Sequence, residues 1–287
     1  MIVATPFSAP VTYHGEGAVW ADSWGGLRCV DMLQGDVLQF DSRGIPRRHH
    51  LGSIAAMIRP AGDEMSVVAR ESDVVLWYEA TNRIEVLAQD LVPSGSRLNE
   101  GSCTPRGDLL IGSVSAGALP ESAQLLEIRK NLVRPILPAV TVSNGLGFSP
   151  DGTRAYYADS PTHRVDVFTV TDTGELIERR RFAEFEPADG APDGLWVDET
   201  GGVWIALYGG GRVQRVSPDG TLDLHVAVDA RQVTSCTFGG PTLSTLYITT
   251  SRENLSDDTD PLAGSIFHAD VGITGLPALP FVPDIHA

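Results

Sequence analysis

The sequence predicts an all-β protein, a six-bladed β-propeller with a central channel. Three observations support this fold class. A repeat of about 48 residues recurs along the chain, as in propeller blades. Apolar and polar residues alternate over short runs such as 163–168 and 211–216, which is typical of half-buried strands. Turn residues are abundant, with 30 glycines and 19 prolines. The whole chain, residues 1–287, is predicted to form one propeller domain.

Three stretches carry the repeat most clearly and align without a gap. Each opens with a polar residue, places a turn glycine eight positions later and continues into an apolar run. The openings are Asn99, Asn144 and Asp193, so they lie 45 and 49 residues apart. Because the three openings hold the same place in the repeat, their side chains are expected to meet near the propeller axis.

Weaker copies complete the count of six blades. One begins at Glu16, within the run 15–20, and another begins at Ser235, within the run 235–240. The 83 residues that separate Glu16 from Asn99 leave room for one more copy. We assign it to residues 53–58, although this segment lacks the glycine of the other copies.

Composition narrows the classes of partner. The net charge is −16 and no basic stripe is present, which argues against nucleic acid and against an anionic membrane surface. No apolar run is long enough for a membrane helix, and the N-terminus does not have the pattern of a signal peptide. Three cysteines, Cys29, Cys103 and Cys236, indicate free thiols in a reducing compartment, so the cytoplasm is the predicted location.

Four polar residues that open repeats form a candidate cation-binding site on the propeller axis. Glu16, Asn99, Asn144 and Asp193 combine two carboxylates with two amides, an all-oxygen set of net charge −2. Such a set suits a divalent cation of the calcium, magnesium or manganese type. No histidine and cysteine cluster has the spacing of a zinc site. Polar residues also line the water-filled channels of propellers that have no catalytic role, so the repeat alone leaves both interpretations open.

The motifs also carry a family resemblance over nearly the whole chain. They include Gly-Glu-Gly-Ala-Val-Trp at 15–20, Arg-Leu-Asn-Glu-Gly at 97–101, Ser-Asn-Gly-Leu-Gly-Phe-Ser-Pro-Asp-Gly at 143–152 and Pro-Asp-Gly-Leu-Trp-Val-Asp at 192–198. The segments 209–213, 234–240 and 246–249 follow in the same order. The chain therefore resembles the family of gluconolactonases, regucalcins (senescence marker proteins) and luciferin-regenerating enzymes. The resemblance implies a six-bladed propeller with one divalent cation in its channel.

The same resemblance implies roles for individual residues. Glu16, Asn144 and Asp193 match the residues that bind the cation directly. Asn99 matches a residue that contacts the cation or its bound water and the substrate, and Arg97 matches an arginine that reaches substrate oxygens. Ca²⁺ is the first candidate for the cation, and Mn²⁺, Mg²⁺, Zn²⁺ and Fe²⁺ are the others.

Two glutamates bear on which substrate the protein recognises. By a looser match, Glu121 corresponds to a glutamate that contacts substrate. Glu100 stands where the family usually has aspartate, so the surroundings of Asn99 are expected to be remodelled and the identity of the substrate is left open. The substrate class that the resemblance implies is a sugar lactone of the aldonolactone kind, a small molecule that the enzyme opens to the aldonic acid.

The reaction expected from these residues is metal-assisted ester hydrolysis. Water attacks the lactone, and Asp193 is the expected general base. No Gly-x-Ser-x-Gly motif is present, so a serine-esterase mechanism has no support. Two alternatives remain: a metal-dependent phosphotriesterase of the diisopropyl fluorophosphatase type, and a non-catalytic calcium-binding propeller. Arg97 beside an intact ligand set favours the lactonase.

Overall fold

The structure is a computed structural model that describes residues 2–130, 132–256 and 259–283. It begins with two short strands, β1 (Ile2–Val3) and β2 (Thr5–Pro6), and then builds one blade after another. Blade 1 contains β3 (Gly15–Ala21), β4 (Gly26–Asp31), β5 (Asp36–Phe40) and β6 (Pro46–His50). Blade 2 contains β7 (Ala55–Pro60), β8 (Met65–Arg70), β9 (Val74–Tyr78) and β10 (Arg83–Ala88). Blade 3 contains β11 (Ser96–Cys103), β12 (Leu109–Ser115), β13 (Ala123–Arg129) and β14 (Leu132–Val140).

The second half repeats the pattern. Blade 4 contains β15 (Ser143–Phe148), β16 (Arg154–Asp159), β17 (Arg164–Val170) and β18 (Leu176–Glu184). Blade 5 contains β19 (Ala191–Val197), β20 (Val203–Tyr208), β21 (Arg212–Val216) and β22 (Leu222–Ala227). Blade 6 contains β23 (Val233–Gly239), β24 (Thr245–Thr250) and β25 (Phe267–Asp270). Single turns of 3-10 helix lie in the connections at Asp22–Trp24, Met32–Gln34, Ser160–Thr162 and Pro187–Asp189.

The six sheets close into a ring, which confirms the predicted propeller. The innermost strand of each blade packs against the innermost strand of the next, and β23 packs against β3. The N-terminal strands complete the closure: β2 pairs with β25 as the outer strand of blade 6, and β1 lies parallel to β22 at the edge of blade 5. The segment assigned to the second blade, residues 53–58, overlaps β7 (Ala55–Pro60), so the innermost strand of that blade lies where it was predicted, with its bounds two residues later.

Apolar side chains fill the spaces between adjacent blades. Between blades 5 and 6, for example, the rings of Trp204 and Phe238 meet edge to face with centroids 5.5 Å apart, and both are fully buried. The three cysteines are free and buried in these layers, as predicted. None of the helices in the described ranges has the length and apolar character needed to cross a membrane.

The C-terminal segment forms a strap across one face of the ring. We call the face at which the innermost strands begin the upper face and the opposite one the lower face. On the lower face the Leu276 N–H donates to the Val197 carbonyl of blade 5 at 3.2 Å, and the Phe281 N–H donates to the Pro60 carbonyl of blade 2 at 2.7 Å. Residues 275–282 therefore tie non-adjacent blades together, and we call this segment the lower strap.

Phe281 is expected to anchor the lower strap. Its side chain is 3% exposed and packs in the apolar layer between blades 2 and 3. Truncating a buried phenylalanine to alanine costs about 3–5 kcal/mol, so Phe281→Ala should lower the free energy of unfolding by that amount. The neighbouring Val282 is 62% exposed, and Val282→Ala should change stability by less than about 0.5 kcal/mol. Equal denaturant midpoints for the two variants would show that the strap is not anchored at Phe281.

Candidate active site

The innermost strands share a backbone irregularity near their upper ends. In all six blades the pairing between the innermost strand and its neighbour shifts register at this level. Asn99, Asn144 and Asp193 lie within such shifts, and Glu16 opens the one in blade 1. A bulge releases a residue from regular pairing and re-aims its side chain. The bulges therefore explain how the repeat openings reach the channel instead of the space between blades.

Small residues let the chains approach closely here. A Cβ atom on Gly145 would collide with the Asp193 carbonyl oxygen, and a Cβ atom on Gly194 would collide with the Ser235 hydroxyl. Any larger residue at these two positions would push neighbouring innermost strands apart. The glycines that follow the polar openings thus keep the channel narrow.

Glu16 and Asp193 form the acidic part of the site. Glu16 is 4% exposed and Asp193 is 5% exposed, and the Asp193 Oδ1 atom has no hydrogen-bond partner in the described structure. Burial, together with the neighbouring carboxylates, raises the pKa of both side chains well above their ordinary values. Two buried carboxylates that repel each other are costly unless a positive charge joins them.

Asn144 and Asn99 form the amide part. The Asn99 Nδ2 atom donates to Asn144 Oδ1 at 3.0 Å and to the Ser143 carbonyl at 2.9 Å. The Asn144 Nδ2 atom donates to Ser160 Oγ at 2.7 Å, and that hydroxyl donates to the Pro192 carbonyl at 2.7 Å. These bonds orient both amides, and the second lone pair of Asn144 Oδ1 is left for a further partner.

Arg97 lies above the amides, two residues before Asn99 on β11. Its Nη1 atom donates to Asn99 Oδ1 and to the Leu98 carbonyl, the second bond at 3.1 Å. Burial lowers the pKa of Arg97, although the charges of Glu16, Glu253 and Asp193 oppose that shift. The side chain is only partly buried, so the guanidinium stands between the acidic site and the solvent at the upper face.

Beside Arg97 a cleft of about 450 Å³ opens between blades 2 and 3. Small residues, Gly95, Ala116 and Gly117, form part of its wall, with Ile54 and Val114 behind them. A cleft of this size admits a small sugar-like molecule.

Glu121 is placed apart from the other predicted residues. It is exposed in the connection between β12 and β13, which lies at the upper face, and its backbone N–H donates to Thr141 Oγ1 at 3.2 Å. The structure therefore puts Glu121 on the same face as the channel mouth but not among Glu16, Asn144 and Asp193. A contact between Glu121 and substrate stays a prediction.

A buried ion pair lies below the acidic site, and sequence reasoning missed its basic half. Glu100 is 4% exposed and accepts from Arg59 Nη2 at 3.0 Å, while Arg59, from β7, is 5% exposed. The second Glu100 oxygen, Oε2, has no partner in the described structure. Arg59 is 41 residues from Glu100 in sequence, and no local pattern links the two.

His14 is a second residue that the sequence did not single out. Its Nδ1 atom lies 2.7 Å from Ser251 Oγ and its Nε2 atom lies 3.8 Å from Glu16 Oε1. Burial, and then the charge of Arg97, lowers the pKa of His14 to about 3, so its ring is neutral at physiological pH. The position two residues before Glu16 was the available signal, because alternate strand residues share a face.

These residues fit a hard divalent cation. Glu16, Asn144 and Asp193 each offer a side-chain oxygen, and Asp193 Oδ1 is a buried carboxylate atom without a hydrogen-bond partner in the described structure. Over the ranges 2–130, 132–256 and 259–283, no three or more His, Cys, Asp and Glu side chains are grouped as metal ligands. A cation held here therefore needs an amide oxygen, and Asn144 Oδ1 supplies one.

Comparison with known proteins agrees with this fold and shows the family of the chain. Residues 14–252 match the family model described as the SMP-30/Gluconolactonase/LRE-like region. An L-arabinolactonase of Azospirillum brasilense is 33% identical, with 91% of this chain and 90% of that protein aligned. A 6-deoxy-6-sulfogluconolactonase of Pseudomonas putida is also 33% identical, over 91% of this chain and 92% of that protein. The crystal structure of a calcium-binding protein, regucalcin from Agrobacterium tumefaciens, superposes with a TM-score of 0.93 at 24% identity and covers 98% of this chain and 97% of that one.

Fold and site together define a six-bladed propeller with an acidic, all-oxygen cluster in its channel. The chain belongs to the SMP-30/gluconolactonase/LRE-like family.

Proposed function

We propose that this protein is a lactonase that hydrolyses a sugar lactone to the corresponding acid with the help of one divalent cation. The observation that carries the proposal is the buried oxygen cluster at the upper end of the channel, with the Asp193 Oδ1 atom unpartnered and Arg97 above it. The relatives named as lactonases align over nine-tenths of the chain, which supports the reaction class.

Glu16, Asn144 and Asp193 would hold the cation. When bound, it would polarise the lactone carbonyl and stabilise the negative charge that develops on the carbonyl oxygen. Ca²⁺ is our first candidate because three oxygen donors with open positions for water suit it, and because the similar regucalcin structure is named a calcium-binding protein. Mn²⁺, Mg²⁺, Zn²⁺ and Fe²⁺ remain alternatives that a reconstitution series would compare.

Asp193 would act as the general base. Its Oδ1 atom is free of hydrogen bonds within the described structure, so it can accept a proton from a water molecule that attacks the lactone. In the cation-free protein burial, and then the charge of Glu100, raises the pKa of Asp193. The proton then passes to the ring oxygen as the ester bond opens.

Arg97 and Asn99 would position the sugar. Their side chains are hydrogen-bonded to each other, which leaves the remaining Arg97 N–H groups as donors and the second lone pair of Asn99 Oδ1 as an acceptor at the channel mouth. Holding a substrate in the reactive orientation contributes strongly to rate, because the attacking water is then presented to one carbonyl carbon. Glu121, at the same face, is proposed to contact the outer part of the substrate.

A lactone panel tests the reaction class. Aldonolactones of different ring size should acidify a pH-indicator solution when cation is added, and a chelator should abolish that turnover. Hydrolysis of a phosphotriester instead would favour the phosphotriesterase alternative. Cation binding without turnover of either substrate would leave a non-catalytic calcium-binding propeller.

Arg97 provides a test of substrate positioning. Arg97→Ala removes a hydrogen bond from a charged donor, worth about 1.5–3 kcal/mol, and should reduce kcat/KM for polyhydroxylated lactones by about 10- to 150-fold. The loss should be small for γ-butyrolactone, which has no hydroxyl groups, and the melting temperature should barely change. Equal losses on both substrates would mean that Arg97 acts on the ester itself. An unchanged kcat/KM on both would remove it from the site.

A further inference from the structure

His14 lies beside the acidic site, and the proposed lactone chemistry gives it no role. It is 7% exposed and comes just before β3, the strand that carries Glu16. The Asp31 carboxylate of blade 1 accepts from the His14 N–H at 2.9 Å, and the backbone of His14 forms an isolated bridge with Ser251 of blade 6. Two neighbouring blades therefore hold this histidine in place.

The Ser251 hydroxyl determines which nitrogen of the His14 ring carries the proton. Its Oγ atom accepts from the Glu253 N–H at 3.0 Å and lies 2.7 Å from His14 Nδ1. Ser251 is fully buried, and its hydroxyl makes no other hydrogen bond among the described residues. Because a buried O–H group needs an acceptor, the hydroxyl donates to Nδ1, and the ring proton then lies on Nε2.

The Glu253 carboxylate is the alternative partner of His14 Nδ1. A proton on Nδ1 would be drawn toward Glu253 Oε2, but the two atoms are 3.6 Å apart, which is beyond the length of a hydrogen bond. The Ser251 oxygen at 2.7 Å is the closer partner. The contacts therefore favour the form of the ring with its N–H group on Nε2.

The Nε2 atom of His14 lies next to the carboxylate of Glu16. It is 3.8 Å from Glu16 Oε1, about 0.6 Å longer than the upper end of the usual N–H···O range. The other carboxylate oxygen, Oε2, accepts from the Gly17 N–H at 3.1 Å, while Oε1 accepts no hydrogen bond from the residues that the structure describes. A backbone donor thus holds one oxygen of Glu16, and the histidine donor is placed beside the other.

We propose that His14 is a positioning residue for Glu16: its Nε2–H group donates to Glu16 Oε1 when that carboxylate holds the proposed cation, and the Ser251 hydroxyl keeps the proton on Nε2. This role rests on the cation site of the proposed function and involves no contact with the substrate. Carboxylates that bind metals are themselves held by hydrogen bonds, and loss of such a partner typically costs about 10- to 100-fold in metal affinity. His14 is therefore expected to set how tightly the site binds its cation.

Two substitutions of His14 separate the donor from the rest of the ring. In His14→Gln the amide nitrogen reaches the place of Nε2 and can still donate to Glu16. In His14→Asn the shorter side chain can accept from Ser251 in place of Nδ1 but does not reach Glu16. Calorimetric titration of the chelator-stripped full chain with Ca²⁺ should give a Kd about 10- to 100-fold higher for His14→Asn than for wild type, with His14→Gln close to wild type. Equal Ca²⁺ affinities of the two variants would overturn the proposal, because a merely structural histidine does not distinguish them.

The position of the ring proton gives a second measurement, which needs no change of His14. Nitrogen NMR of wild type labelled at histidine reports which ring nitrogen carries the proton, and the His14 signals are those that shift in Ser251→Ala. The proton should lie on Nε2 in wild type, and Ser251→Ala should lose part of its Ca²⁺ affinity because nothing then holds the proton there. Thermal unfolding in chelator checks that each variant is folded. A wild-type proton on Nδ1 would overturn the proposal.

Failure of the lactonase reaction and failure of the His14 role give different results. If wild type binds Ca²⁺ but hydrolyses no lactone, the proposed enzyme is wrong, and the comparison of His14→Asn with His14→Gln still decides the role of His14 because it needs no substrate. If wild type takes up none of the candidate cations, the cation site is wrong and the role of His14 is overturned with it. If wild type hydrolyses lactones and both variants bind Ca²⁺ as wild type does, only the role of His14 is overturned.

Discussion

Replacing Asp193 with asparagine is expected to lower kcat by about 10²–10⁴-fold, the usual contribution of a general base. The substitution keeps one oxygen that can face a cation but replaces the other carboxylate oxygen with an NH2 group and removes the negative charge. Because asparagine cannot accept the proton of the attacking water, the loss should persist at saturating cation. Steady-state kinetics over a cation titration, with one aldonolactone, would measure it.

A control for this variant is available on the surface. Asp151 is an exposed turn carboxylate whose Oδ1 atom accepts from the Thr153 N–H at 3.1 Å, and Asp151→Asn should leave kcat and KM as they are. If cation-saturated Asp193→Asn stays within about threefold of wild type, which is far less than a general base contributes, Asp193 is not the base. In that case its role would be limited to binding.

Replacing Glu16 with alanine should abolish stoichiometric cation binding. Glu16 supplies one of the two carboxylates in the proposed ligand set, and a divalent cation depends strongly on the charge count of its ligands. Elemental analysis after dialysis should give one cation per wild-type chain and close to none for the variant. Turnover should fall with it and recover in part at high cation concentration.

The fold should survive the Glu16 change. In the cation-free protein Glu16 is a buried carboxylate next to Asp193, and burial and that neighbour raise its pKa, so the side chain does not stabilise the folded state. The melting temperature of chelated Glu16→Ala should therefore match or exceed that of chelated wild type. Glu199→Ala, at an exposed position, is the control and should retain its cation. Full cation content in Glu16→Ala would show that the site is misassigned.

Much of the fold could be read from local signals. The repeat located the innermost strands of all six blades, including β7, which lacks the glycine of the other copies. Closure of the ring could not be read in this way. Strand β2 pairs with β25 through Thr5 and His268, and so short a strand carries no pattern that names a partner so distant in sequence.

The candidate site likewise contains residues that the sequence predicted and residues that it did not. Glu16, Asn99, Asn144 and Asp193 occupy one place in the repeat, and repetition of a blade about an axis brings equal places together. Arg59 belongs to no repeated motif, so nothing in the sequence drew attention to it. His14 lies two residues before Glu16, but its contact with that side chain was not predicted from this spacing. The contact between Arg59 and Glu100 joins neighbouring blades, and His14 beside Glu16 is held by Ser251 of blade 6, so the assembled ring defines both arrangements.

The sequence by itself determined the blade, its number of copies and the residues that open each copy, because these are local and periodic features. The tertiary structure decided where the side chains of those opening residues point. Register shifts in the innermost strands direct the side chains into the channel, and the close approach at Gly145 and Gly194 sets its width. It also decided where buried charge is balanced: Arg59 neutralises Glu100, while Asp193 Oδ1 is left without a partner. Such a balance depends on distances between blades, and a linear pattern does not contain those distances.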